Sequence, residues 1–363
     1  MGVHLLDLVA ATVEYAEVSV MCRPTTGGQR VLRRAADLGA VTMALPSPRE
    51  AGFGILVRQF LRATRPDVFH CHVGIGWEGW GILETARWAG VPVIMQTQHL
   101  PFLLGNRHKR RGLLKAVKEA DCVIAVSDGV RRTYEAIGVP SERLITVPNG
   151  VARCEAGAGR NAIRARLGLG IDQPVVMTVG RLTQMKAQRN LIGAIPYLRS
   201  RVPDVAVVIV GDGPLRGQLE DQAASLGVGG ATRFLGHRID ARSLLEAADV
   251  FVLPSRHEGM PLAAIEAMAA GLPLVVTRVL GSREVVEDRK AGTLVPRDDP
   301  SALGPAVADL LTDEDRRKTY GAAGLRRYLE SFTAQRMAAR THALYEHFLA
   351  DACRVVDRPH IQP

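Results

Sequence analysis

The segment RHEGMPLAAIEAMAAGLP, residues 256–273, decides how the chain is read. It places Glu258 just ahead of a short stretch of alanine, leucine, isoleucine and methionine, and Glu266 inside it. The β-branched run DVFVLPS (249–255) comes immediately before. Gly259 supplies a flexible residue, Pro261 suits the first helical position, and Gly271 suits the stop after the last turn. The order is therefore strand, loop, helix, the repeating unit of an α/β layer. The N–H groups around Met260 to Ala263 open that helix without intrahelical acceptors, so an anion belongs beside them. Glu258 acting as a cap would serve, and so would a phosphate from outside.

The same alternation extends in both directions. AEVSVMC, VTMAL, DVFHCH, PVIMQTQ and DCVIAVS read as strands in the first half, and PVVMTVG, VAVVIVG, TRFLG, DVFVLPS, PLVVT and GTLVP in the second. Each is short and ends in a turn, as strands buried on both faces of a parallel sheet do. A chain of 363 residues exceeds one typical core of roughly 150 residues, so two domains are expected. The passage LITVPNGVARCEAGAGRNAIRARLGL (144–169) is read as the linker, with VPNG closing the first sheet. The boundaries are set at 1–157 for the first domain and 165–330 for the second. The amphipathic segment FTAQRMAARTHALYEHFLADA has no strand after it, and residues 334–352 are expected to form a helix that completes the first domain.

Composition removes several classes of function. The chain is 47% hydrophobic and 23% charged, with no apolar run near the ~18 residues needed to span a bilayer. No basic-then-apolar leader opens it, and the reading is cytoplasmic. The net charge of +9 includes one local run, Arg107, Lys109, Arg110, Arg111, Lys115 and Lys118, with no acid among them. Only 5% of residues are aromatic, which argues against a nucleic-acid groove. With Leu113, Leu114 and Val117 the run makes a basic amphipathic helix. It is either a solvated face or a surface for an anionic membrane or a lipid-linked acceptor.

The five cysteines are scattered and never spaced CxxC. In His70-Cys71-His72 the two histidines share one face of a strand, but no further ligand pair is evident. A buried strand end and no metal are expected.

Two other segments bear chemistry. VGRLTQMKAQRNLIGAI (179–195) runs from strand to helix with Arg181 and Lys186 at the turn, where ligands of doubly wound sheets sit. The two cations suit a diphosphate, or are solvated loop side chains. VIVGDGPLRGQLE (208–220) has glycines at 211, 213 and 217, but the next strand, TRFLGH, ends without the acid that would hold the ribose of a dinucleotide. Its glycines let backbone approach a ligand, or make a turn. Glu266 lies roughly one turn into its helix at ~1.5 Å per residue. Shielded by alanines and Met268, it needs hydroxyl or N–H donors. Capping accounts for Glu258 but not for Glu266. A ligand with hydroxyls beside a phosphate, a nucleotide sugar, accounts for both.

GRLTQMK, VGDGPL and HEGMPLAAIEAMAAGLP together resemble the retaining glycosyltransferases of family four, of GT-B fold. NG at 149–150, LGH at 235–237 and GSREVVED at 281–288 fall at comparable places. The resemblance covers nearly the whole chain, and its most specific part is the E-x7-E pair with Arg181 and Lys186 upstream. It implies two Rossmann-like domains facing a cleft, the first binding an acceptor and the second a nucleotide sugar. The implied reaction is transfer of a hexosyl unit from a UDP- or GDP-linked donor to a glycan, lipid-linked or small-molecule hydroxyl, with no metal and no cofactor.

By the same resemblance, Arg181 and Lys186 would neutralise the departing diphosphate. Glu258 would hold a sugar hydroxyl, and the N–H groups of Gly259, Met260 and Leu262, around Pro261, would meet sugar and phosphate. Glu266 would take the ribose, and backbone near Gly213, Gly236 and His237 would lie against the base. His99 would face the donor sugar, its alternative being a strand-end histidine bonded to backbone. Two departures stand out. The family's first strand and glycine-rich loop are not found ahead of LLDLVAATVEY, and Ala187 follows the lysine where relatives commonly have glycine. A hexosyltransferase is the reading. A nucleotide-sugar-binding protein with weak or no transfer, and a GT-B nucleotide-sugar epimerase, are the alternatives.

Overall fold

The computed structural model describes residues 2–48, 50–74, 80–103, 105–154 and 158–356. The chain forms two compact units, Met1–Val151 with Ala334–Pro363, and Ala152–Thr333. The expected boundary at 157 lies outside the described residues.

The first unit runs α1 (Gly2–Thr12), β1 (Ser19–Cys22), α2 (Thr26–Asp37), β2 (Val41–Ala44), α3 (Phe53–Thr64), β3 (Val68–Val73), α4 (Trp80–Ala89), β4 (Val93–Gln98), α5 (Arg107–Val117), β5 (Cys122–Ala125), α6 (Asp128–Glu135) and β6 (Leu144–Thr146). All its strand pairs are parallel. They form a pair, β1-β2, and a set of four, β3-β4-β5-β6. The chain thus opens on a helix, and its parallel strands fall into two groups.

Local chemistry explains the helix starts. Thr25, Asn106 and Ser127 have extended backbones, and their side chains accept from the N–H groups of Gly28, His108 and Val130 respectively. Along α5 the basic side chains face solvent, but Leu113 and Val117 are fully buried. The apolar stripe expected to meet a membrane is therefore spent on the unit's own core, and charge alone is left outside. Two of the six cations are also engaged: Arg110 Nε donates to the Ile137 carbonyl at 2.9 Å, and Lys115 stands 3.8 Å from Glu84.

The second unit runs α7 (Arg160–Arg166), β7 (Val175–Val179), α8 (Gln188–Arg201), β8 (Ala206–Val210), α9 (Arg216–Ser225), β9 (Thr232–Gly236), α10 (Ala241–Leu244), β10 (Val250–Leu253), α11 (Leu262–Ala269), β11 (Leu274–Thr277), α12 (Leu280–Val285), β12 (Gly292–Val295), α13 (Pro300–Thr312) and α14 (Glu314–Ser331). Its six strands lie in the order β12-β11-β10-β7-β8-β9, all parallel. Counted from β7, this is the doubly wound order, with the reversal between β7 and β10. β8, Ala-Val-Val-Ile-Val, is buried on both faces, which is why it shows no alternation. Each such valine or isoleucine contributes about 1.5–3 kcal/mol.

α15 (Ala334–Val356) belongs to the first unit. Its Met337 and Ala338 share a core with Leu8 of α1, Val93 and Met95 of β4, and Ile124 of β5.

Within the linker passage, two parts are regular structure. Leu144–Thr146 is a strand on β5, and Arg160–Arg166 is a helix. The helix matters because Arg164, with only 1% of its side chain exposed, reaches into the sheet's amino end. Its guanidinium donates to the carbonyls of Ala247, Gly170 and Gln173, and to Asp249 at 2.9 Å. Asp249 in turn accepts from the Val175 N–H and from Arg160. One buried cation therefore pins the entrances of β7 and β10 together.

Removing it leaves the carbonyls of Ala247, Gly170 and Gln173 without this donor, and Asp249 with only the Val175 N–H and the more exposed Arg160. Arg164→Ala should cost about 3–5 kcal/mol of unfolding free energy in urea titrations. A loss under about 1 kcal/mol would show that the clamp is dispensable.

Candidate functional site

The carboxyl ends of β7 and β10 are neighbours at the reversal of the sheet, and that is where the two chemistry-bearing loops emerge. They are tied by backbone, with the Arg256 N–H donating to the Met185 carbonyl at 2.8 Å. The first loop is also laid against the loop after β8. Leu182 N–H donates to the Asp212 carbonyl at 3.0 Å, and a Cβ on Gly213 would lie 2.4 Å from the Leu182 carbonyl oxygen. Gly213 is thus packed against the protein's own backbone at Leu182.

Across the joined loops, Lys186 Nζ donates to Glu258 Oε1 at 2.6 Å. The Glu258 side chain is 6% exposed and that of Lys186 22%. Glu258 is therefore not a helix cap. The capping position of α11 is held by Pro261, which has no side-chain acceptor, so the helix starts one residue later than the sequence spacing predicts. Gly271 takes the left-handed backbone expected of it, with φ +73°. Among the described residues, the N–H groups of Leu262 and Ala263 meet no acceptor.

α12 closes on this corner from the other side. Gly281 N–H donates to the Glu258 carbonyl at 3.3 Å, and a Cβ there would stand 1.9 Å from the Gly259 carbonyl oxygen. Buried polar atoms without a protein partner occur in each of the three segments: Ser255 Oγ, Ser282 Oγ and Gln188 Oε1. Such atoms are uncommon in a finished interior and suit a place where a polar molecule binds.

Glu266 has a partner that sequence reasoning missed. Arg242 Nε donates to its Oε1 at 2.8 Å, and the Glu266 side chain is 10% exposed. The donor that the shielded carboxylate requires is supplied from α10, a four-residue helix with no motif to announce it. The pair lines a cavity of about 510 Å³ with Ala152, Arg153, Cys154, Glu246, Ala269 and Ala270. Of the residues singled out in the sequence, only Glu266 lines it. Arg181 is exposed, its carbonyl accepting from Gln188 Nε2 at 3.2 Å, and His237 is exposed just past β9. Nearby, burial together with Arg297 and Arg256 pushes the His257 pKa down.

His99 lies in the first unit, buried just past β4, with its Nε2 3.3 Å from His72 Nδ1. The rings of His4 and His99 meet edge-on, with centroids 4.6 Å apart. The sequence shows no ligand pair beside His70 and His72, but the fold brings one from α1 and from the end of β4.

The arrangement in the second unit can bind an anion with hydroxyls attached. A helix start with unpaired N–H groups stands beside a lysine whose carboxylate partner can turn to a hydroxyl.

Two family models together cover most of the chain. The one described as glycosyl transferases group 1 matches residues 159–327, and glycosyltransferase family 4 matches residues 1–153. The GDP-mannose-dependent alpha-(1-6)-phosphatidylinositol monomannoside mannosyltransferase of Mycolicibacterium smegmatis is 37% identical over 244 residues, 64% of this chain and 63% of that protein. The alpha-maltose-1-phosphate synthase of the same organism is 30% identical over 385 residues, 95% of this chain and 94% of that one. Among solved structures, Anabaena HepE in complex with UDP superposes with a TM-score of 0.80 at 20% identity, over 95% of this chain and 96% of that one. That likeness shows the two-domain α/β fold called GT-B.

Two tests concern the backbone of the site. Ala187 takes a left-handed conformation, φ +50° and ψ +38°, at the start of α8, which glycine adopts without strain. Ala187→Gly should therefore raise the unfolding free energy by about 0.5–1 kcal/mol, and a loss would mean that the buried methyl outweighs the strain. Gly281→Ala should destabilise by about 2 kcal/mol or more, since backbone must move. Gly217→Ala in α9, where the added methyl meets nothing within 4 Å, should be neutral or slightly stabilising. Equal effects of the two glycine substitutions in urea titrations would contradict the close-approach argument.

Proposed function

Since this chain belongs to the group 1 glycosyl transferases, and is a glycosyltransferase, we propose that it moves a hexosyl unit from a UDP- or GDP-linked sugar to an acceptor hydroxyl with retention of anomeric configuration. The observation that carries the reading is the Lys186–Glu258 pair at the reversal of the second unit's sheet.

On donor binding, the diphosphate takes Lys186 from Glu258 and meets the N–H groups that open α11. Arg181, now in solvent, turns onto the same charge. The two cations then stabilise the leaving nucleoside diphosphate, work that a divalent metal would otherwise perform. Glu258, released, accepts from a hydroxyl of the sugar, with backbone of Gly259, Met260 and Leu262 beside it. Glu266, held by Arg242, accepts from the ribose, and the base lies towards Gly213 and His237.

In the chemical step the acceptor oxygen bonds to the anomeric carbon on the face from which the phosphate departs. The carbon–oxygen bond to the phosphate breaks, and its electron pair goes to the phosphate oxygen. That oxygen receives the acceptor's proton. Neither glutamate is needed as a nucleophile, so no pair of carboxylates at glycosidase spacing is required.

The names of the relatives, a mannosyltransferase and a synthase, do not favour a bare binding protein or an epimerase. The mannosyltransferase is named for a phosphatidylinositol monomannoside acceptor. A lipid-linked acceptor is consistent with the exposed charges of Arg107, Lys109, Arg111 and Lys118, which suit phosphate headgroups by charge alone. Among the described residues, no helix is long and apolar enough to cross a membrane.

The reading is tested with purified protein and a panel of UDP- and GDP-sugars. One donor should raise the melting temperature in proportion to its occupancy. Lys186→Ala should lower kcat/KM at least 100-fold, about 2.7 kcal/mol, with the fold intact by circular dichroism. Glu266→Ala should lower it through donor affinity, and chelator should leave turnover unchanged. Wild-type turnover in Lys186→Ala would overturn the assignment.

A further inference from the structure

The charges of α5 work against the helix that carries them. Arg107, Lys109 and Arg110 fill its first turn, where the backbone dipole is already positive, and no acid stands with them. Arg107 and Arg111, and Arg111 and Lys115, are like charges four residues apart, which repel. Among the described residues, Arg107, Lys109, Arg111 and Lys118 make no ion pair. Such a helix gains from an anion outside the chain. We propose that the outer face of α3, α4 and α5 docks on an anionic phospholipid bilayer, with Trp88 seated among the headgroups. The proposal deepens the reading of a lipid-linked acceptor, on which it rests.

The apolar component that α5 lacks comes from the helices beside it. α4 packs between α3 and α5. Lys115 stands 3.8 Å from Glu84 of α4, and Arg87 Nη2 donates to the Glu119 carbonyl at 3.0 Å. Trp88 lies one turn beyond Glu84 on the same face of α4, and it is 64% exposed. On α5, Arg111, Lys115 and Lys118 form an exposed row at i, i+4 and i+7. On the other side, Gly54 of α3 faces Thr85 of α4, with 3.9 Å between a Cβ there and the Thr85 Oγ1. That contact turns Ile55, Gln59 and Arg62 outward, and all three are exposed. An exposed indole and an exposed isoleucine therefore lie among cations from three adjacent helices.

Sign and pattern decide the partner. α3, α4 and α5 carry eight Lys or Arg and one acid, and that acid is already beside Lys115. α1, α2 and α15, which pack together through Leu8 and Val9, carry six Arg and four acids, so the excess belongs to one layer of the unit. Lysine is depleted where proteins meet proteins, whereas a face of one sign matches a plane of phosphates. Tryptophan settles at the headgroup level of such a plane, and the long stems of Lys and Arg carry their charges up to it. The densest charge stands at the start of α5, reached from the carboxyl end of β4, the edge at which ligands of such sheets sit. Among the described residues no helix crosses a membrane, so the attachment is peripheral and weakens with salt.

The test is sedimentation of the full chain, without donor, on vesicles of mixed phosphatidylglycerol and phosphatidylcholine or of phosphatidylcholine alone. Binding should be about tenfold tighter or more on the anionic vesicles and fall as salt rises. Arg111→Glu with Lys118→Glu should weaken it about tenfold or more, while Arg33→Glu with Arg340→Glu, the same charge change on the opposite layer, should weaken it less than about threefold. Lipids brominated near the headgroup should quench tryptophan emission, and Trp88→Phe should remove most of that quenching. Equal binding to both vesicles, equal losses in the two double variants, or undiminished quenching in Trp88→Phe would overturn the proposal. No vesicle binding together with retention on polyglutamate would assign the face to an acidic protein and likewise overturn it. If the Arg111 and Lys118 variant does not fold, salt dependence and quenching in the unaltered chain decide. Stabilisation by a nucleotide sugar is measured on the same samples, so vesicle binding absent with that stabilisation intact rejects the docking face and leaves the donor site standing.

Discussion

The contact between Lys186 and Glu258 is the constraint around which the second unit is arranged. Each side chain leaves a different strand of the central pair, so their 2.6 Å meeting requires the loops after β7 and β10 to hold register. The Arg256–Met185 backbone bond supplies part of that, and Arg164 supplies the rest from the opposite end of the same strands. The glycines follow from it as well. A side chain at 213 would push away the loop that carries Lys186, and one at 281 would push away the segment that carries Glu258. As a source of stability the pair is poor, because burying two charges consumes most of what their attraction returns. As a seat for a charged ligand it is apt, since an incoming phosphate exchanges one counter-charge for another instead of stripping water from a bare cation.

The two units use buried polarity in different ways. In the second, polar side chains gather at the carboxyl edge of one continuous sheet, and the interior beneath them is valine, leucine and isoleucine. In the first, the strands form two groups, and imidazoles fill space that aliphatic side chains would otherwise take. His70 is fully satisfied by Tyr345 of α15 and Thr97 of β4. The remaining three turn towards one another, a placement that burial makes costly for charged rings and natural for neutral ones.

Much of this was readable in the chain. Every segment read as a strand is one, because short β-branched runs ended by Gly, Ser or His have few other ways to be buried. The helix after Glu258 and its glycine stop were readable too, as was the need of Glu266 for a donor. The identity of that donor was not, since Arg242 approaches from 24 residues away in a short helix without periodicity. Leu144–Thr146 reads as linker because three residues are too few to carry a pattern. The histidine cluster was invisible for a stronger reason. His72 and His99 meet only through strand pairing, and His4 only through the docking of α1. Spacing along a sequence encodes contacts within one element and not those between elements.

A crystal structure with a UDP- or GDP-sugar tests the central claim most directly. The account predicts Lys186 Nζ turned from Glu258 onto the diphosphate, the phosphates against the start of α11, and Glu258 bonded to a hydroxyl of the sugar. A donor bound elsewhere in the second unit, for instance in the cavity beside Ala152 and Cys154, with the Lys186–Glu258 contact intact, would contradict it.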